Sequence, residues 1–269
     1  MAHEFEPETV PIPAGEFWMG SPLSDKLRSH SEPEQFRLHL DAYRIGRYPV
    51  TVGQYRAFIE AGGYDNRSCW TQSGWEQRQK AGWTEPRHWD DSTWAGDDLL
   101  PVVGVSWYEA YAYTRWLSEA TGRAYTLPTE SQWEKAARGG LQLADGSRNP
   151  NPKRIWPWGD DEPTAELCNF NINTGQTSPV TSHAAQADLQ PYGLYHMAGN
   201  VWEWCLSAWQ NPFKHPEPNG VEDDAWRVLR GGSWNYYHRH VRCSNRPSHD
   251  PHLRFNNYCL RVCAASLPF

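Results

Sequence analysis

Apolar residues follow two different periods along this chain, and the switch between them divides it. Residues 10–20, Val-Pro-Ile-Pro-Ala-Gly-Glu-Phe-Trp-Met-Gly, read as a strand entered through a Pro-Gly turn. Residues 36–45 alternate apolar and polar side chains (Phe36, Leu38, Leu40, Ala42) and predict a second strand. Thr51 then opens a helix in which Val52, Tyr55, Phe58 and Ile59 recur at helical spacing, and Gly62-Gly63 stops it. Residues 64–100 show no period; Trp70, Trp75, Trp83, Trp89 and Trp94 predict a long ordered loop pinned by indoles. Ser106-Trp107-Tyr108-Glu109 is a capping box, and the helix behind it runs to Gly122 with Ala110, Tyr113, Trp116 and Leu117 on one face. Thr129-Glu130-Ser131-Gln132 is a second capping box, opening a shorter helix from Trp133 to Arg138 that ends at Gly139-Gly140. Beyond Leu141 no helical period remains, and short strands are predicted at 193–195, 201–205, 227–230 and 258–264.

Helices in the first half and short strands in the second predict an α+β fold, loop-rich, with small antiparallel sheets and two or three helices. No internal repeat or linker interrupts the 269 residues, so one domain, 1–269, is expected. Composition sharpens this: 16 Trp, 21 Gly and 21 Pro predict irregular segments held by large indoles whose N–H groups find acceptors. The formal charge of −7 lacks the global basic footprint of a nucleic-acid binder, and no nucleic-acid partner is expected. No apolar run reaches membrane-spanning length, and residues 1–11 carry no apolar signal core, so the expected location is cytoplasmic. Cys69, Cys168, Cys205, Cys243, Cys259 and Cys263 form no C-x-x-C and are expected to be mostly reduced thiols.

Seven ordered motifs carry a resemblance. They are 12–21 (Ile-Pro-Ala-Gly-Glu-Phe-Trp-Met-Gly-Ser), 48–51 (Tyr-Pro-Val-Thr), 101–107 (Pro-Val-Val-Gly-Val-Ser-Trp), 127–134 (Leu-Pro-Thr-Glu-Ser-Gln-Trp-Glu), 156–160 (Trp-Pro-Trp-Gly-Asp), 192–204 (Tyr-Gly-Leu-Tyr-His-Met-Ala-Gly-Asn-Val-Trp-Glu-Trp) and 229–234 (Leu-Arg-Gly-Gly-Ser-Trp). With these the chain resembles the formylglycine-generating (sulfatase-modifying factor) family over nearly its whole length. The resemblance implies a C-type-lectin-like fold of the formylglycine-generating subclass and leaves function open, because that fold hosts oxidases, ergothioneine-type synthases and binding proteins.

The oxidases of the family place a copper(I)-binding cysteine pair just after Gly-Gly-Ser, since copper(I) prefers sulfur. Here Tyr236 stands where the first of them would be, and Cys243 lacks a paired neighbour. The expectation is therefore that the chain is not an enzyme, with a formylglycine-generating-type copper oxidase acting on protein or small-molecule thiols as the alternative. Ergothioneine-type relatives take their iron-binding histidines largely from a helical domain in front of this fold, which the chain as given lacks. His238 and His240, alternating on a strand, form a weak metal pair beside the blander reading of exposed histidines. No cofactor is expected to be required. The family resemblance implies a possible structural calcium held by Asn169 and Phe170, with Asn173 assisting, and a second set at His196, Gly199, Val201 and Glu203.

Residues 235–260 have no period of either kind and contain no Lys, Glu, Gln, Met or Trp. None of those five has a codon ending in C or T, and every residue present is reachable from the Asn codon AAC by changing adenines. This resembles the variable proteins of diversity-generating retroelements, in which an error-prone reverse transcriptase randomises template adenines near the end of a C-type-lectin-like gene. The resemblance implies a fixed frame of Arg242, Asn245, Arg246, Pro251, Arg254, Arg261 and Val262. It implies ligand-binding, exchangeable positions at Asn235, Tyr236, Tyr237, Arg239, His240, Cys243, Ser248, His249, Asp250, Leu253, Phe255, Asn256 and Asn257, with Pro247 and His252 at the margin. Tyr and Phe supply contact area at low entropy cost, and Ser, Asn and His supply adaptable hydrogen bonds, as in antibody paratopes. The expected function is a ligand-binding variable protein whose partner, a protein, docks on this hypervariable face. An ordinary surface loop is the competing reading. The arginines and histidines of the segment make an acidic partner a further expectation.

Overall fold

The computed structural model describes residues 3–265; the first two and last four residues of the expected 1–269 domain lie outside the described residues. The first sheet has the order β1-β4-β10-β5, from Thr9–Ile12 (β1), Tyr43–Gly46 (β4), Cys263–Ala265 (β10) and Tyr125–Thr126 (β5). A two-stranded ribbon pairs β2 (Gly15–Met19) with β3 (Phe36–Leu40). The second sheet has the order β8-β7-β6-β9, from Ser248–His249 (β8), Arg227–Arg230 (β7), Trp202–Ala208 (β6) and Tyr258–Leu260 (β9). The helices are α1 (Val52–Glu60), α2 (Gln72–Ala81), α3 (Ser92–Ala95), α4 (Trp107–Thr121), α5 (Glu130–Arg138) and α6 (Ala184–Leu189).

The capping boxes decide where α1, α4 and α5 begin. Thr51, Ser106 and Thr129 each accept an amide from the third helical residue, whose side chain returns to the cap backbone. Expected strand 36–45 is two strands in two different sheets. Its apolar parity changes, from Phe36, Leu38 and Leu40 to Tyr43 and Ile45, so the inward face flips at Asp41-Ala42 and the chain changes partner. Expected strand 258–264 divides the same way: β9 lies parallel to β6, and β10 is antiparallel to β4, so the second sheet is mixed. Residues 193–195 are irregular where a strand was expected, following a turn at 191–192, and the Tyr195 amide donates to the Arg47 carbonyl. The expected long loop 64–100 holds α2 and α3. Helix α2 was hidden from the period because only Gly74 of its ten residues is buried, although Thr71 caps it and left-handed Gly82 ends it. Among the described residues no helix is long and apolar enough to cross a membrane.

Buried indoles join the layers as expected. Trp107 Nε1 donates to the Cys205 carbonyl (2.8 Å), Trp204 Nε1 to the Val105 carbonyl (3.1 Å) and Trp133 Nε1 to Glu203 Oε2 (2.7 Å). These bonds tie α4 and α5 to β6, the central strand of the sheet from which the segment beyond residue 230 departs. All six cysteines are buried free thiols.

Candidate functional site

Strand β7 leads through Gly231-Gly232 into residues 233–260. Gly232 has φ +78°, and a Cβ there would lie 2.6 Å from Val241 Cγ1, so the chain turns back on itself at a point only glycine fits. Ser233 is buried and hydrogen-bonds Asn235 Oδ1 (2.8 Å), and Asn257 Nδ2 donates to Ser233 Oγ (3.1 Å), which closes the two ends of the segment on each other. The Trp234 amide donates to the Asn200 carbonyl, and its indole lies 5.7 Å from that of Trp94.

The four arginines of the expected frame turn inward, and each meets a carboxylate from the preceding scaffold. Arg242 reaches Glu32 (2.6 Å) and Asp25 (3.0 Å). Arg246 lies bidentate on Glu130 (2.6 and 2.8 Å), at the first turn of α5. Arg254 meets Glu109 (3.0 Å) in the first turn of α4 and lies over the Trp83 ring. Arg261 lies bidentate on Glu203 (2.9 and 2.7 Å) in β6. Planar fork-to-carboxylate pairing fixes both partners in orientation as well as distance. Burial pushes the Glu32 carboxyl up, but the hydrogen bond and charge of Arg242, with Ser21 and the Ser29 amide, outweigh it and hold the group below the usual range. At Glu109 burial wins over Arg254 and the carboxyl is raised. Pro251 is buried and its carbonyl accepts the Trp107 amide (2.9 Å) at the start of α4; Asn245 and Val262 are also buried.

Several residues before and among these anchors turn outward. Tyr237 is 63% exposed, Phe255 43%, and Arg239 is exposed. Asn235, Tyr236, His240, Ser248, His249, Asp250, Leu253 and Asn256 are half-buried. Tyr236 packs its ring on Trp202 (5.4 Å) and His240 (5.2 Å), while His249 and Phe255 flank Tyr258 (5.7 and 5.1 Å). Two expected contact positions are not on this face. Cys243 is fully buried, with its amide bonded to the Ile155 carbonyl and its thiol pushed up by burial to about 11; Asn257 is buried on Ser233 and Asn235. The expected basic character also shrinks, because Arg242, Arg246 and Arg254 are spent on internal carboxylates and Asp250 pairs with His252. Arg239 is the exposed arginine left on this segment.

His238 and His240 lie on a 3-10 turn rather than a strand, and His240 packs against aromatic rings. Among the described residues no three His, Cys, Asp or Glu side chains gather to hold a metal. At the first expected calcium set, Asn169 places its amide N–H group against the Gln176 carbonyl, Ser178 Oγ and Asn200 Oδ1, and its Oδ1 accepts from Thr174. The Phe170 carbonyl accepts from Asn173. At the second set, Glu203 is already neutralised by Arg261 and also bonded by Trp133, and His196 is a buried imidazole. Gly199 and Val201 contribute backbone only: Gly199 packs so closely that a Cβ would lie 2.3 Å from the Asn169 carbonyl. In the structure Asn169 Oδ1 and the Phe170 carbonyl each accept a protein hydrogen bond, and the Glu203 carboxylate is engaged by Arg261 and Trp133.

The sequence reading missed a fixed neighbour of the face. The Asn171 amide donates to the Tyr236 carbonyl (2.8 Å) and the Ile172 amide to the Trp234 carbonyl (2.7 Å), so the loop at 169–175 borders the segment. Ile172 is 61% exposed at φ +62°, a strained conformation for a β-branched residue. No local signal marks it, because the contact joins residues some sixty positions apart.

Comparison with known proteins places this geometry. The family model "Sulfatase-modifying factor enzyme 1-like domain" matches residues 2–266. Hercynine oxygenase of Mycolicibacterium smegmatis is 34% identical over 247 residues, covering 84% of this chain and 54% of that protein. The chain spans about half the length of the curated hercynine oxygenases it matches. Formylglycine-generating enzyme of Thermomonospora curvata is 31% identical over 282 residues, covering 88% of each. Among solved structures, PvdO from Pseudomonas aeruginosa superposes with a TM-score of 0.72 at 27% identity, covering 98% of this chain and 96% of that one. Treponema denticola variable protein 1 superposes at 0.63 and 20% identity, covering 96% and 95%, a likeness of fold. The curated relatives are enzymes by name, and this overturns the expectation, drawn from the missing cysteine pair, that the chain is not one. With a matching α+β, C-type-lectin-like architecture and a family model spanning nearly every residue, the chain belongs to the sulfatase-modifying factor (formylglycine-generating enzyme) family.

Proposed function

We propose that this chain is a ligand-binding variable protein of a diversity-generating retroelement, with residues 235–256 as its contact face. The observation that carries the reading is the division between neighbours in one segment. Frame residues Arg242, Arg246 and Arg261 are buried in ion pairs with the scaffold, while Tyr237 and Arg239 just before the first of them and Phe255 between the last two are exposed. Such a segment tolerates exchange at the outward positions because the arginines hold its path. The Treponema variable protein supports the reading at the level of fold. A protein partner suits the aromatic, hydrogen-bonding composition of the face.

Sequencing this locus in sister isolates tests the proposal. Substitutions should concentrate at the outward positions, spare the frame arginines, and accompany a nearby reverse-transcriptase gene with an Asn-rich repeat. An invariant segment would sink it. The relatives favour a second reading, an oxidative enzyme of the family. The residues do not fit a copper(I) pair, since Tyr236 takes the first position and Cys243 is buried alone. Oxygen-dependent turnover of a cysteine peptide would support that second reading.

A further inference from the structure

Of the 21 glycines in the chain, Gly220 alone follows an asparagine, Asn219. Both residues are exposed, in the segment between β6 and β7. Two contacts hold the backbone around them: the Ala208 amide donates to the Pro218 carbonyl (2.8 Å), and Arg227 Nη1 donates to the Gly220 carbonyl (2.7 Å). Among the described residues neither the Gly220 amide nor Asn219 Nδ2 donates to an acceptor. Asn219 Oδ1, in contrast, accepts from the Ser207 hydroxyl (2.9 Å). Ser207 is buried near the end of β6, and its oxygen accepts the Glu130 amide (2.9 Å), which leaves its proton for Asn219.

A donor on an amide oxygen stabilises the oxyanion that forms when a nucleophile adds to the carbon. Glycine has no side chain to keep its nitrogen away from the carbonyl of the preceding side chain. We infer that Asn219-Gly220 is a modification site at which the chain deamidates spontaneously, with Ser207 donating to the amide that reacts. The Gly220 nitrogen bonds to Asn219 Cγ; the Cγ–Nδ2 bond breaks, and Nδ2 leaves as ammonia, carrying the proton lost by the Gly220 nitrogen. Water, the one co-reactant, then opens the cyclic imide at either carbonyl and gives aspartate or isoaspartate. Aspartate keeps an acceptor for Ser207. Isoaspartate adds a methylene to the backbone between the two held carbonyls and loosens the grip of Gly220 on Arg227, which is buried over the Trp107 ring (4.0 Å). The site lies apart from residues 235–256 and does not depend on the reading proposed for them.

Incubation of the unaltered chain in heavy-oxygen water at mildly alkaline pH, followed by peptide mapping, tests this. The peptide holding Asn219 should take up one heavy oxygen and appear as both aspartate and isoaspartate, while the peptide holding exposed Asn66, which precedes Arg67, stays unchanged. Gly220→Ala should slow the conversion about tenfold or more. A Cβ there meets Asp223 Oδ2 at 3.5 Å, an ordinary contact, so this variant should fold. Ser207→Ala should slow the conversion as well. An unconverted Asn219 would overturn the site, and conversion to aspartate alone would overturn attack by Gly220. An unchanged or faster conversion in Ser207→Ala would overturn the role of the hydroxyl. The first two readouts use the unaltered chain, so they stay decisive if a variant fails to fold.

Discussion

Arg246 lays Nε and Nη2 on the two oxygens of Glu130 across 116 residues of sequence, tying residues 235–260 to the first turn of α5. The pair is buried on both sides, and Arg230 lies 4.0 Å from the same carboxylate. The geometry makes Arg246 a structural anchor whose charge is invisible to solvent.

Removing one partner of such a pair leaves the other buried and uncompensated, a loss of roughly 3–5 kcal/mol. Chemical denaturation of Arg246→Ala should therefore show a large fall in stability. The paired variant Arg246→Met with Glu130→Gln should recover much of it, since both charges leave together. Equal stability of the single and double variants would refute the anchoring role.

Outward positions should behave oppositely. Tyr237→Ser and Phe255→Ser alter side chains that are 63% and 43% exposed, so each should change unfolding free energy by only about 0.5 kcal/mol. Cys243→Tyr, at a fully buried position, should cost roughly 1–3 kcal/mol or more through overpacking. A tolerated tyrosine at 243 would show that this position accepts large side chains despite its burial.

Glu217 sets a pH dependence. Burial, then the charge of Glu130, raises its carboxyl to about 7, against the opposing Ser131 hydrogen bonds (2.7 and 2.8 Å). A carboxyl raised on folding holds its proton more tightly in the native state, so stability falls as pH rises from about 4.5 to about 7. The size of that fall is at most ~3 kcal/mol. His196, pushed down to about 3 by burial first and by His183 and Arg261 after it, acts with the opposite sign below pH 6.5. The clean readout is the difference between the unaltered chain and Glu217→Gln. Relative to the unaltered chain the variant should gain stability as pH rises through this window; a pH-independent difference would exclude Glu217 as its source.

Trp133→Phe keeps most of the apolar ring and deletes the N–H that serves Glu203 Oε2. A loss of about 1–3 kcal/mol is expected, measured by thermal unfolding, because one bond to a buried carboxylate disappears. Arg261 still covers both oxygens, which places the result toward the lower end.

Much was legible in the sequence wherever the cause was local. Capping boxes at Thr51, Ser106 and Thr129 located three helices because the signal and the element share four residues. Strand 227–230 was readable as an apolar run bounded by turns. The arginines at 242, 246, 254 and 261, singled out by resemblance as a fixed frame, are the residues the structure pairs with scaffold carboxylates. Helix α2 was missed because a polar surface helix lacks the apolar stripe that period analysis detects.

Pairing across long separations was decided only in three dimensions. Nothing near Arg242, Arg246, Arg254 or Arg261 in the sequence names Glu32, Glu130, Glu109 or Glu203, yet those contacts turned an apparently basic surface into a neutral internal frame. The burial of Cys243 and the approach of Ile172 to Trp234 arose the same way. Local sequence determines a cap or a turn because hydrogen-bond partners three or four residues apart meet as the backbone coils. Which side chains lose their water depends on chain segments brought together by the whole fold, and that alone separated buried anchors from exposed side chains here.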